Sequence, residues 1–199
     1  MEANERKSNI TMYISICAIV VSLFLIGVKM TGYATVNDQA VVNVTIISSA
    51  AINFTTDFID FGAGIVNPGE LGATLNTENS VTLGNWTPIS SGLVLQNIGN
   101  VNVSLNFSTD KTPAQFLAGT NPLFQLKVTN TSTDVGACTG TAGMLADYVN
   151  VSTTEVESCS LFEFNDTKDS IDVDVQIYIP SDSNTGEQTI TVIAEGYYV

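Results

Sequence analysis

The residues able to carry chemistry in this chain are asparagines and cysteines rather than groups arranged for proton transfer. Eight N-x-[ST] sequons follow the first apolar segment, at Asn43, Asn53, Asn85, Asn102, Asn106, Asn130, Asn150 and Asn165. In an exported chain each asparagine amide is a glycan acceptor. Asn85 is the weakest because Pro88 follows its Thr87, which leaves Asn43, Asn53, Asn102, Asn106, Asn130, Asn150 and Asn165 as the expected set. The competing explanation is compositional, since Asn, Thr and Ser are the neutral polar residues from which a surface poor in lysine is built.

Cys138 and Cys159 are the two cysteines beyond the apolar segment. An even pair in an oxidising compartment is expected to form a disulfide, here around a stretch rich in Gly, Thr and Ala with little core of its own. Cys17 lies inside the apolar run with no lipobox around it and reads as a small apolar residue. Histidine is absent, which removes the usual proton carrier near neutral pH and the commonest imidazole metal ligand. The densest acidic stretch is Asp166, Asp169, Asp172 and Asp174. Asp172 and Asp174 fall on one strand face about 7 Å apart, yet calcium wants six to eight oxygens and the spacing matches no EF-hand loop. A solvated face is expected there, with no cofactor. Trp86, Tyr197 and Tyr198 are expected to pack rather than to form a binding surface. No pair of acids stands at a readable catalytic spacing, so the expectation is a protein that is not an enzyme.

The net charge of -14 comes from a shortage of bases, because only Lys111, Lys127 and Lys168 follow Lys29. Phosphate binding needs clustered Lys and Arg, so nucleic acid is not an expected partner.

Stepping from these residues to the elements that hold them, Thr11 to Val28 carries no charge for 18 residues. As helix it measures about 27 Å, close to a hydrocarbon core of roughly 30 Å. Arg6 and Lys7 precede it, so the positive-inside rule places the N-terminus in the cytoplasm and the remainder outside. Residues 1–10 read as a cytoplasmic n-region, 11–30 as a transmembrane helix or signal peptide, and 31–40 as a linker. Gly32-Tyr33-Ala34 offers a small-x-small cleavage site, and both outcomes stay open. If retained, the helix makes the membrane a partner. Lys7-Ser8-Asn9 lacks the cleavage pattern of archaeal prepilins.

Residues 41–199 read as one extracytoplasmic β-sandwich, of jelly-roll or Ig-like type, so the fold class is all-β behind one hydrophobic helix. The carrier of that reading is period-2 alternation. Val101, Val103, Leu105 and Phe107 alternate with Asn102, Ser104 and Asn106; Ile171, Val173, Val175 and Ile177 alternate with Asp172, Asp174 and Gln176. Val42, Val44 and Ile46 alternate with Asn43 and Thr45, and Ile190, Val192 and Ala194 form a last strand. Shorter strands are expected at Ile52–Thr55, Phe58–Phe61, Gly92–Ile98, Phe124–Val128, Tyr148–Val151 and Leu161–Phe164, separated by turn residues such as Asn67-Pro68-Gly69 and Asn121-Pro122. Thr112-Pro113, with Gly119 as a stop, predicts a helical turn, and Thr141 to Ala146 permits another.

The run Gly92-Leu93-Val94-Leu95-Gln96-Asn97-Ile98-Gly99-Asn100-Val101-Asn102-Val103 resembles a strand-turn-strand of many secreted archaeal and bacterial β-sandwich proteins. The order of an export helix, a Tyr-Ala-Thr-Val exit, Phe61-Gly62, Asn67-Pro68-Gly69, this hairpin and a closing Gly186-Glu187-Gln188-Thr189-Ile190-Thr191-Val192 is similar to that of uncharacterised surface proteins of small-genome archaea. More distantly it resembles camelysin-like fibre subunits and archaeal bundling pili. The resemblance implies jelly-roll subunits that polymerise by donating an N-terminal strand, and it carries over no functional residue.

The resulting expectation is a structural or interaction protein of the cell envelope, at the outer face of the membrane or secreted. One form is a filament subunit that self-associates by adding the Thr35 to Ser48 strand to a neighbour. The simpler expectation for that strand is pairing within its own domain. The alternative class is an adhesion or glycan-binding module using loops at one end of the fold.

Overall fold

A computed structural model describes residues 9, 12–19, 41–140 and 147–199. Residues 12–19 are helical with exposed side chains, Cys17 among them. Most of the expected membrane segment, the linker, the Gly32-Tyr33-Ala34 site and Thr141 to Ala146 lie outside the described residues. Among the described residues no helix is long and apolar enough to cross a membrane.

The chain divides into two compact units at Thr45/Ile46. In the second, the described residues form eleven strands in two antiparallel sheets. They are β1 (Ile52–Thr56), β2 (Gly72–Asn76), β3 (Ser80–Thr82), β4 (Leu93–Asn97), β5 (Val103–Thr109), β6 (Leu123–Asn130), β7 (Cys138–Thr139), β8 (Val149–Asn150), β9 (Val156–Phe162), β10 (Ser170–Pro180) and β11 (Val192–Tyr198), with one short helix, α1 (Pro113–Leu117). All-β is therefore the class.

The spine of the seven-stranded sheet is β10, whose alternation buries Ile171, Val173, Val175 and Ile177 and turns Asp172, Asp174, Gln176 and Tyr178 outward. One edge of β10 pairs with β6 along Ile171–Tyr178; the other pairs first with β4 and then, from Gln176, with β2. β1 extends β4, β3 extends β2 and β8 extends β6. The four-stranded sheet runs β11-β5-β9-β7. Val103, Leu105 and Phe107 of β5 and Phe162 of β9 join Leu75, Leu95, Leu126, Ile171 and Val173 in one buried cluster. A fully buried residue of this size is worth about 1.5–3 kcal/mol relative to exposure, so this shared cluster is the main stabilising term.

The helical turn forms where Thr112-Pro113 predicts it. Thr112 and Gln115 make a reciprocal capping box, Pro113 occupies the first turn, and Ala118 and Gly119 end the helix with positive φ. Phe116 is buried edge-on to Phe124, with ring centroids 6.1 Å apart. Two expected strands are not formed. Phe58–Phe61 is irregular, with Phe58 exposed, and Val42–Ile46 belongs to a stretch, residues 41–50, that joins no sheet. The closing strand starts at Val192 rather than Ile190 and runs on to Tyr198. β2, β3, β7 and most of β9 form outside the expected segments.

Cys138 and Cys159 are joined, with Cα atoms 5.4 Å apart, linking β7 to β9. A closed loop of this length contributes about 3 kcal/mol by constraining the unfolded chain. Replacing both cysteines with alanine should lower the urea midpoint accordingly. Equal midpoints for the two proteins would show that the reduced chain already holds this segment.

Candidate functional site

The turn from β4 into β5 builds a device that the first sheet, the second sheet and the incoming chain all share. Asn97 ends β4 and is 1% exposed. Its Nδ2 donates to the carbonyls of Val101 at 3.0 Å and Phe162 at 3.2 Å, and its Oδ1 accepts the Gly99 N–H at 3.1 Å. Its own N–H donates to the Asp169 carbonyl at 2.8 Å. Gly99 leaves room for the chain ahead of β1: a Cβ there would lie 2.5 Å from the Ser49 carbonyl oxygen and 2.9 Å from the Ala51 nitrogen.

Asn100 then grips that chain. Its Oδ1 accepts the Ser49 N–H at 2.6 Å, its Nδ2 donates to the Ile47 carbonyl at 2.9 Å, and its N–H donates to the Ser49 carbonyl at 3.0 Å. The register of β1 on β4, Ile52 opposite Asn97, thus continues to Ser49 opposite Asn100. Where the backbone turns away, the side-chain amide replaces the missing ladder carbonyl. Residues 47–51, the root of an arm, are thereby tied to the turn between β4 and β5.

Residues 41–47 of the arm, Val-Val-Asn-Val-Thr-Ile-Ile, expose their aliphatic side chains almost fully: Val41 84%, Val42 91%, Val44 83%, Ile46 82% and Ile47 78%. β-Branched residues in period-2 order suit a pleated, half-buried surface, and among the described residues this segment pairs in no sheet. Among the described residues β11 pairs only with β5, and β1 only with β4. The two edges approach one another at Gly196, where a Cβ would stand 3.5 Å from Ile52 Cγ2. Ile52, Phe54, Val192 and Ala194, all on these two strands, are only partly buried against the core.

The sequons are dispersed. Asn43 lies in the arm, and Asn53 faces outward on β1. Asn85 accepts the Ile65 N–H at 2.7 Å, and Asn102 accepts the Phe164 N–H at 3.2 Å. Asn106, within β5 between β11 and β9, donates its Nδ2 to Glu155 Oε2 at 2.8 Å. Asn130 accepts the Cys138 N–H at 3.1 Å, and Asn150 is exposed on β8. Asn165 sits in the exposed turn between β9 and β10. Trp86 is a packing residue: its indole lies where a Cβ on Gly64 or Gly84 would be, with nearest atoms at 2.3 and 2.8 Å. Tyr197 donates its hydroxyl to Glu155 and Glu195 on the outer face of the second sheet, and the two carboxylates hold its hydroxyl up to about 12.

The acidic stretch is not one cluster. Asp166 is in the exposed turn; Asp169 is buried and accepts from Gln96 at 3.0 Å and Ser170 at 2.9 Å. Asp172 and Asp174 line a shallow polar hollow with Thr56, Ser90, Ser91, Gly92 and Val94. Asp174 accepts the Thr77 hydroxyl at 2.8 Å. Among the described residues no three acids or cysteines converge as metal ligands. On the same sheet Lys127 pairs with Glu78 and lies 5.0 Å from the Tyr148 ring centre, and the Tyr148 hydroxyl donates to Glu78 at 3.0 Å. The bond from Lys127 holds Glu78 below its ordinary value; burial, then Glu78, pushes Tyr148 up.

Burial, and then the charge of Asp174, raise the Asp172 carboxyl above its ordinary 3.8. A carboxyl raised in the folded state opposes folding once ionised, and that opposition disappears as pH falls to the unfolded value. Asp172→Asn should therefore raise the melting temperature at neutral pH, with the gain gone below pH 3.8. A gain that persists unchanged in acid would mean another cause. For the arm root, Asn100→Ala should abolish hydrogen-exchange protection at the Ser49 amide while β4 and β10 amides keep theirs. Retained protection there would mean that Asn100 does not hold the arm.

No protein-family model matches the chain, and neither curated proteins nor solved structures yield a match. The functional reading therefore stands on the arm, its clamp and the bare edges.

Proposed function

We propose that the chain is an exported structural protein of the cell envelope whose second unit, a β-sandwich of jelly-roll or Ig-like type, self-associates by strand addition. The arm of one copy pairs with the bare edge of β11 in the next. The observation that carries this reading is the arm itself, five aliphatic side chains held almost wholly in water. Burying the three on its inward face, Val42, Val44 and Ile46, is worth about 1.5–3 kcal/mol each, which gives assembly its driving force. The seven residues 41–47 match the seven of β11 in length. Val42, Val44 and Ile46 turned inward would cover Val192, Ala194 and Ile52, and Asn43 and Thr45 would face solvent. Strand addition also satisfies the edge peptide groups that otherwise invite non-specific pairing. A disulfide is compatible with an oxidising exterior, and the apolar run Thr11 to Val28 supplies the export signal or the membrane contact.

The acid excess constrains the conditions. Residues 41–199 hold seventeen acids against three lysines, so approaching bodies repel until salt screens them, over about 10 Å at 0.1 M. Polymer yield should rise with ionic strength. Deleting residues 35–46 from the exported protein should abolish polymers, seen by electron microscopy and size-exclusion chromatography, and leave a folded monomer. Ile46→Lys should do the same without shortening the chain. Unchanged filaments in either variant would sink the reading.

A further inference from the structure

We propose that Asn165 is the principal N-glycosylation acceptor of the folded chain, and that its first sugar lies in the adjoining shallow depression against Phe164, beside the root of the arm. The biological relevance rests on the export proposed above; the acceptor geometry does not.

An asparagine amide is a poor nucleophile because its nitrogen lone pair is delocalised onto oxygen. In the transfer, Nδ2 attacks C1 of a saccharide carried on a lipid diphosphate. The N–C1 bond forms, the bond from C1 to the phosphate oxygen breaks with its electron pair leaving on the lipid diphosphate, and the Nδ2 proton passes to a base of the transferase. As that proton leaves, negative charge gathers on Oδ1. A sequon that already aims donors at Oδ1 and leaves Nδ2 free is prepared for the step.

Asn165 meets both conditions. The Thr167 N–H donates to its Oδ1 at 3.2 Å and the Thr167 hydroxyl at 3.1 Å, so the sequon's own hydroxyl residue supplies both donors. Among the described residues no hydrogen bond uses its Nδ2. Residues 164–168 are all exposed and lie between strands, closed by a Lys168 N–H to Asn165 carbonyl bond of 2.5 Å. A transferase reaches this amide without unzipping a sheet. Asn106 is the opposite case, with its Nδ2 spent on Glu155 and its strand paired on both sides. Asn85, Asn102 and Asn130 have their Oδ1 committed to distant backbone N–H groups, and among the described residues the exposed Asn43, Asn53 and Asn150 lack the two donors that Thr167 aims at the Asn165 Oδ1.

The surroundings fit a sugar. A shallow, open depression of about 590 Å³ is lined by Gly99, Asn100, Phe164, Asn165, Asp166 and Thr167. Phe164 is 41% exposed and the neighbouring Ile98 58%. The C–H face of a pyranose stacks on such a ring, while the Asp166 side chain in the same lining meets its hydroxyls. Because Asn100 also grips residues 47–49, a glycan here flanks the exit of the arm.

The test uses the folded, disulfide-bonded chain with a purified oligosaccharyltransferase and a lipid-linked saccharide, followed by glycopeptide mass spectrometry. The expected result is occupancy at Asn165 several-fold above any other sequon, with Asn106 bare. Thr167→Ser should retain the product, and Thr167→Ala and Asn165→Gln should lose it at unchanged melting temperature. Modification should also raise the melting temperature of the wild type but not of Phe164→Ala. Saccharide on other sequons with Asn165 bare, or on none, overturns the assignment; equal shifts in wild type and Phe164→Ala overturn the Phe164 contact. Protease accessibility on intact cells scores export separately, so failure of one reading is not mistaken for failure of the other.

Discussion

Asn97 is the residue on which the geometry of this fold hangs. A side chain 1% exposed must satisfy all of its polar atoms internally, because each buried group left unpaired costs about 1–3 kcal/mol. The site demands one donor toward the Phe162 carbonyl of the second sheet, one toward the Val101 carbonyl of the turn, and one acceptor for the Gly99 N–H of that turn. A primary amide offers that combination; aspartate brings a charge and no donors, and leucine of similar volume orphans three backbone groups. Asn97 therefore fixes where the chain leaves one sheet for the other, and with it the positions of Gly99 and Asn100. The clamp on the arm is a consequence of how the two sheets are tied.

The second organising feature is the unequal treatment of edges. β10 is paired along both sides and carries the best alternation in the chain. β11 and β1 are each paired on one side only among the described residues, and their inward aliphatic residues are incompletely covered. Natural sheets blunt such edges with lysine, proline or bulges. β11, Val-Ile-Ala-Glu-Gly-Tyr-Tyr, carries none of the first two, and its one acid, Glu195, is engaged by Tyr197 on the outer face.

The expected strands that formed were β1, β4, β5, β6, β8 and β10, with β11 in part, and the clearest of them, β5 and β10, set β formers in strict alternation, which reports a half-buried face directly. β2, Gly-Ala-Thr-Leu-Asn, has weak propensity and owes its place to pairing with β10. β9 is interrupted by irregular register against β5, which scrambles the period, and β7 is two residues held by the disulfide and β9. The helical turn was legible because its cap is local chemistry. The candidate site was half legible. Alternation in Val42–Ile46 announces an amphipathic strand, but period alone carries no information about the partner. The roles of Asn97 and Asn100 were hidden because Asn in a turn looks the same whether it faces solvent or a core; the one available signal was two amides bracketing a glycine immediately after an apolar strand.

The clamp also bears on which partner the arm can take. A segment tethered to its own domain sees its own edges at an effective concentration of order millimolar, so self-pairing should win wherever geometry allows. Doubling back along β1 needs a reverse turn between arm and strand. No turn occurs in residues 41–51, and the stretch that would have to supply it, residues 47–51, is held extended by Asn100 and pressed against Gly99. Making the turn would break three hydrogen bonds at the Ile47 and Ser49 backbone, each with a net worth of about 0.5–1.5 kcal/mol. The same amide that continues the β1 ladder thus disfavours a hairpin back onto β1.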